Sequence, residues 1–196
     1  MLNILIACEF SGIVREAFKA KGHGVWSCDL LPSDIPGQHI QDDVLDYLDG
    51  DWDLMIAHPP CTHLAVSGAA WFKNKQKEQA EALEFVKKLL NAPIPRIALE
   101  NPIGVISTRI RKPNQIIQPY QFGEPVKKAT CLWLKNLPKL IPTKVVENYK
   151  PLIRSNVTAR ARRGEKQDGK FSGGLVTAKT FAGIAEAMAM QWGKLK

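Results

Sequence analysis

The chain opens on an apolar run, "LNILIAC" at 2–8, continuous from Ile4, and similar short runs return along its length. Runs of this length, closed by turn or polar residues, read as strands buried on both faces. The second is "GVWSCDL" at 24–30, with Asp29 at its end. The third, "DLMIAHPP" at 53–60, is cut off by proline, and the fourth, "RIALENP" at 96–102, meets another proline stop. "TCLWLKNLP" at 130–138 predicts a later strand. Elsewhere the period is helical. Ile13, Val14, Ala17 and Phe18 share one face of "IVREAFKAKG", 13–22, which closes on a glycine. "NKQKEQAEALEFVKKLLNA", 74–92, is the clearest amphipathic helix, with Ala80, Leu83, Phe85, Val86, Leu89 and Leu90 as its inner face. "KTFAGIAEAMAMQWGKL", 179–195, predicts a closing helix. "HIQDDVLDYL" holds a short strand or a helix start, and 139–178 is irregular, polar and basic.

Strands alternating with helices predict an α/β fold, a mostly parallel sheet flanked by helices. No linker is long enough to divide the chain, so residues 1–196 read as one domain. In such sheets ligands bind beyond the carboxyl ends of the strands. Four unusual sequences fall there: "EFSG" after the first strand, Asp29 at the second, "HPPC" at the third and "ENP" at the fourth.

Composition narrows the class. With 45% hydrophobic and 23% charged residues the chain suits a globular protein. No apolar run approaches the roughly 18 residues of a membrane helix, and "MLNILIAC" lacks a basic leader, so a cytoplasmic location is expected. A formal net charge of +8 favours a polyanionic partner such as nucleic acid. The basic residues gather after Lys73, most densely in "RSNVTARARRGEK" at 154–166, which reads as an anionic contact or as a solvated loop. Cys8, Cys28, Cys61 and Cys131 are widely spaced with no C-x-x-C pair, which argues against zinc and disulfides. Neither His23 nor His63 has metal-ligand spacing, so no metal is expected.

At the strand ends the chemistry is specific. Gly12, opening a helix straight after a strand, suits either a close ligand approach or a simple helix-start turn. Asp29 is placed for a ribose diol or for a loop hydrogen bond, and Asp42 and Asp43 for an adenine amino group or a helix cap. Cys61 follows two prolines that stiffen its loop; it reads as a positioned nucleophile or as a packed thiol. Glu100 ends an apolar strand, where an unpaired carboxylate is costly. Partly desolvated, it would have a raised pKa and could donate a proton near neutrality. A thiol and a carboxyl on adjacent strand ends suit covalent attack on an electron-poor ring. "KKATCLWLKNLP" could offer a nucleic-acid strand Trp133 among its lysines, but a core strand is the favoured reading.

The ordered set resembles the cytosine-C5 DNA methyltransferases, which use S-adenosylmethionine. Phe10, Ser11 and Gly12 match the family's glycine motif, Pro60 and Cys61 its Pro-Cys nucleophile motif, and Glu100 and Asn101 its Glu-Asn motif. Arg160 and Arg162 match an Arg-x-Arg motif that contacts the target nucleotide. The resemblance spans nearly the whole chain and is similar in scale to compact phage and prophage members. It implies a Rossmann-like methyltransferase fold. It further implies S-adenosylmethionine held by Phe10, Ser11, Gly12, Asp29, Asp43 and Pro59, catalysis by Cys61 and Glu100, and DNA held by Asn101, Arg160 and Arg162. Val14 stands where the cofactor loop usually has glycine, His58 precedes Pro-Pro, and Thr62 and Thr158 replace the usual glutamines. Residues 164–178 alone separate Arg163 from the closing helix, which leaves room for limited base-edge readout. RNA or a free pyrimidine nucleotide remains an alternative substrate, and a non-catalytic nucleic-acid binder an alternative class.

Overall fold

The computed structural model of the chain describes residues 1–65, 75–151 and 179–195. Seven strands form one sheet in the order β3-β2-β1-β4-β5-β8-β6. They are β1 (Asn3–Ala7), β2 (Gly24–Asp29), β3 (His39–Gln41), β4 (Leu54–Ala57), β5 (Arg96–Pro102), β6 (Gln115–Ile117) and β8 (Thr130–Lys135). The five strands from β3 to β5 are parallel, whereas β8 pairs antiparallel with both β5 and β6. The result is the mostly parallel α/β sheet that the alternation of elements predicts, Rossmann-like as the resemblance implies. The short strands β7 (Val126–Lys127) and β9 (Lys150–Pro151) pair separately. "HIQDDVLDYL" supplies both alternatives read from it, β3 and then a 3-10 turn at Val44–Tyr47.

Helices cover both faces. On one face α1 (Ile13–Lys19) and α4 (Ala182–Trp192) bury Val14, Phe18, Ile184 and Met188 against Ile4, Ile6, Val25, Leu54, Ile56 and Ala98. On the other, α2 (Gln76–Leu90) brings Val86 and Leu89 onto Leu5, Met55, Ala57, Ile97 and Leu99. Burial on both faces is why the strands read as continuous apolar runs. The inner face of α2 differs from expectation in one residue: Ala80 is exposed, while Ala82, one turn before Val86, packs on the core. The four-residue α3 (Ile106–Arg109) follows β5. Among the described residues no helix is long and apolar enough to cross a membrane.

β8 gives the favoured core reading of "TCLWLKNLP". Leu132 and Leu134 face the α1/α4 side; Trp133 is fully buried on the α2 side and its indole Nε1 donates to Arg111 O at 2.8 Å. Trp133→Ala therefore opens a core cavity and strands the Arg111 carbonyl. Denaturant unfolding is expected to show a loss of about 3–5 kcal/mol, far beyond what loss of a surface stacking residue would cause.

Candidate active site

The strand order reverses between β1 and β4, which opens a crevice beyond their carboxyl ends. A cavity of about 450 Å³ occupies it, lined by residues that include Cys8, Asp29, Asp43, Pro60, Glu81 and Phe85. This volume is within the range of small-molecule sites, roughly 300–1,000 Å³. Its wall is apolar on Leu30, Val44 and Phe85, and acidic at Asp29, Asp43, Glu78 and Glu81. Asp29 Oδ1 accepts from Leu31 N at 2.9 Å and Asp43 Oδ1 from Leu45 N at 3.0 Å. Each aspartate thus makes the local turn or cap bond read as one alternative, and each also lies on the cavity wall. Burial, reinforced by Asp29 and Asp43, pushes the Cys8 thiol well up; burial likewise pushes Cys28 up to about 11. Both thiols stay protonated and serve as apolar lining.

The loop after β1 is organised by a residue the sequence reading passed over. Glu9 is buried, and its carboxylate accepts from Val14 N at 2.7 Å, Arg15 N at 3.2 Å and the Ser11 hydroxyl at 3.1 Å. It occupies the N-terminus of α1, where a dinucleotide fold would seat a pyrophosphate. That helix end is therefore closed to a phosphate. Gly12 takes a left-handed φ of 72°, but no ligand space lies over it. A Cβ there would press on the Arg15 guanidinium and Ile35. Arg15, fully buried, uses that guanidinium to hold Ser27 Oγ, Ser33 Oγ and Ile35 O. Phe10 and Ser11 line a separate small cavity with His58 and Thr180.

β4 ends at Ala57 and the chain turns through His58, Pro59 and Pro60 to Cys61. Cys61 is the exposed cysteine; Cys28 and Cys131 are buried and Cys8 is partly so. Its carbonyl accepts from Leu64 N and Ala65 N, both at 3.0 Å, which closes a turn directly behind it. Pro59 is buried, and its carbonyl receives the Asn101 side-chain amide at 2.8 Å; Pro60, rather than Pro59, reaches the large cavity. Asn101 is thus a brace between the β4 loop and the end of β5. A second brace lies beyond it, where Val105 N donates to Leu64 O at 2.8 Å. Gly104 permits that approach, because a Cβ there would collide with the Leu64 carbonyl.

Glu100 has the partner that its burial demands. Its Oε2 lies 2.9 Å from His58 Nδ1, with side-chain exposures of 14% and 8%. Burial opposes charge on both groups, but their mutual hydrogen bond and attraction outweigh it. The imidazole is held above its ordinary value. The carboxyl, helped also by Lys128 and the Thr180 hydroxyl, is held below its own. This reverses the raised pKa expected for Glu100. Desolvation alone would raise it, and the sequence gives no sign that His58, 42 residues away, supplies the counter-charge. Arg160 and Arg162 lie outside the described residues.

Asn101→Ala removes the inner brace and leaves the Pro59 carbonyl without its donor. A loss of about 1–3 kcal/mol in stability is expected, together with faster alkylation of Cys61 by a neutral maleimide as the loop loosens. An unchanged alkylation rate would show that the prolines and the Val105–Leu64 bond hold the loop without it.

No protein-family model and no curated protein matches the chain. Among solved structures, it is similar to an E. coli prophage-encoded protein provisionally described as a DNA modification methyltransferase. The identity is 14% and the TM-score 0.48, over 74% of this chain and 52% of that one. The chain thus spans about half the length of that protein, and the likeness is one of partial fold.

Proposed function

We propose that the chain transfers a methyl group to C5 of cytosine in DNA through a covalent Cys61 adduct, with S-adenosylmethionine as the cofactor. The observation that carries this reading is the brace from Asn101 to Pro59: it ties the one loop with an exposed thiol to the strand end that holds Glu100. The motif resemblance independently pairs the same two residues as nucleophile and acid.

The cavity suits the cofactor. Its apolar wall fits an adenine, its carboxylates fit a ribose diol and a cationic sulfonium or amine, and Glu9 already occupies the place a phosphate would need. Asp29 and Asp43 would hold it, with Pro60 on the side of the nucleophile. Bound there, S-adenosylmethionine supplies the methyl group. The chain does the rest. Cys61 attacks C6 of the ring, Glu100 protonates N3, and the electron density so raised at C5 makes that carbon the acceptor. Removal of the C5 proton then expels the thiolate. A cytosine in duplex DNA must first leave the stack. Arg160 and Arg162 would hold the extruded nucleotide through its phosphate, and the net charge of +8 favours DNA over a neutral substrate.

Trapping on DNA that carries 5-fluorocytosine tests this, because fluorine at C5 cannot leave as a proton. A denaturation-resistant adduct is expected only when S-adenosylmethionine is present, and Cys61→Ser should abolish it. No adduct, or one that survives Cys61→Ser, would overturn the reading. By calorimetry, Asp29→Asn should weaken cofactor binding by about tenfold or more.

A further inference from the structure

His58 opens the "HPPC" stretch but matches none of the family motifs, yet it makes the closest polar contact of the candidate acid. We propose that His58 stores the proton that Glu100 delivers to the pyrimidine ring, acting through Glu100 as a positioning residue. This rests on the reading of Cys61 and Glu100 as a cytosine-C5 site.

The geometry restricts the protons. His58 Nδ1 and Glu100 Oε2 are 2.9 Å apart, so one proton occupies the line between them. His58 is fixed at both ends: its backbone N–H donates to Ala7 O at 2.9 Å, and the Thr180 hydroxyl stands 3.4 Å from Nδ1. The charges facing it come from every side. Glu100 on β5 and Glu9 after β1 favour the imidazolium, while Lys128, just before β8, opposes it. Lys179, which lines the same small cavity, is spent on Asp34 at 2.6 Å. Cys131 on β8 stays a neutral thiol, pushed up by burial and by Glu100. The two carboxylates prevail, as the raised imidazole value records.

The other ring nitrogen is the unusual one. Nε2 is buried with no hydrogen-bond partner among the described residues. His58 lines a cavity of about 10 Å³ shared with Phe10, Ser11 and Thr180, close to the smallest space that admits one water. A histidine serving only as a brace would need Nδ1 alone. An unpaired Nε2 beside a water-sized space gives the imidazole a route to exchange its proton with solvent.

The step balances in atoms and charge. The Cys61 sulfur forms its bond to C6 and the C5–C6 π pair shifts into the ring. N3 takes a proton from Glu100, and Glu100 takes one from His58. A thiolate, a neutral ring and an imidazolium become a neutral adduct and a neutral imidazole, and the carboxylate is restored. When the thiolate is expelled, the N3 proton returns by the same pair. Without a stored proton, Glu100 would have to draw one from water at a pH where a carboxyl is almost wholly ionised.

His58→Asn tests this. Its amide can still donate to Glu100 near the Nδ1 position, but it stores no proton. With the full chain, 5-fluorocytosine DNA and S-adenosylmethionine, the trapping rates of wild type and variant are compared as a ratio at each pH, which cancels every pH dependence the two share, that of the nucleophile included. The variant should lose about tenfold or more near pH 8 and recover steadily toward pH 6, with cofactor affinity and Tm little changed. A loss that is the same at every pH, or no loss at all, would overturn the proposal. In the free protein the His58 imidazole, followed by NMR, should titrate above 6.5 and move down in Glu100→Gln. Titration at or below 6.5 would overturn it independently of activity. Failure of the wild type to trap at any pH would instead remove the methyl-transfer reading, and the proposal with it.

Discussion

One buried hydrogen bond joins the two halves of the site: the Asn101 amide on the Pro59 carbonyl. β4 and β5 run parallel with Ala57 level with Leu99, so His58 and Pro59, just beyond β4, arrive beside Glu100 and Asn101, the next two residues of β5. Proline cannot donate, which leaves the carbonyl as the only polar group Pro59 offers, and burial makes an unmet carbonyl expensive. Asn101 meets it. The loop to Cys61 is then anchored to the strand that carries Glu100, and two consecutive prolines leave it few other conformations. Placement of the thiol becomes a property of the sheet rather than of a free loop.

The same region shows how a buried acid and a largely buried one are made tolerable. Glu9 is stabilised by backbone N–H groups and the positive end of α1, Glu100 by an imidazole and a hydroxyl. Alternation along β5 separates the roles further. Ala98 packs with α1 and α4, so Glu100 points to that face, while Asn101 follows Ile97 and Leu99 to the face of α2. One strand end thus serves both sides of the sheet, the carboxyl on one and the loop brace on the other. The large cavity lies on the α2 side, with Glu81, Ala82 and Phe85 of that helix on its wall, which sets the proposed cofactor and the proton pair on opposite sides of the rim.

Much of this frame was legible in the residues. The strands announced themselves because each is buried on both faces and stops at a proline, an acid or a glycine; "RIALENP" spans β5 residue for residue. Their motifs had to lie at the carboxyl rim, since that is where parallel strands feed their loops. Cys61, Glu100, Asp29 and Asp43 were placed there by local pattern alone. Ala80 was misassigned for the opposite reason: an alanine is apolar enough for either face of α2, and only the packed sheet fixes the helix's rotation.

Local pattern thus determined which segments are strands or helices and which polar residues end them, because hydrophobic period and proline stops act over a few residues. Tertiary structure alone decided the antiparallel insertion of β8 between β5 and β6, the seat of Glu9 on α1, the filling of the space over Gly12 by Arg15, and the union of His58 with Glu100. Each of these depends on which strands become neighbours and which face a side chain meets. A period of two records alternation but names no partner. The sign of Glu100's pKa shift followed the same division: burial was readable in the chain, the counter-charge only in the fold.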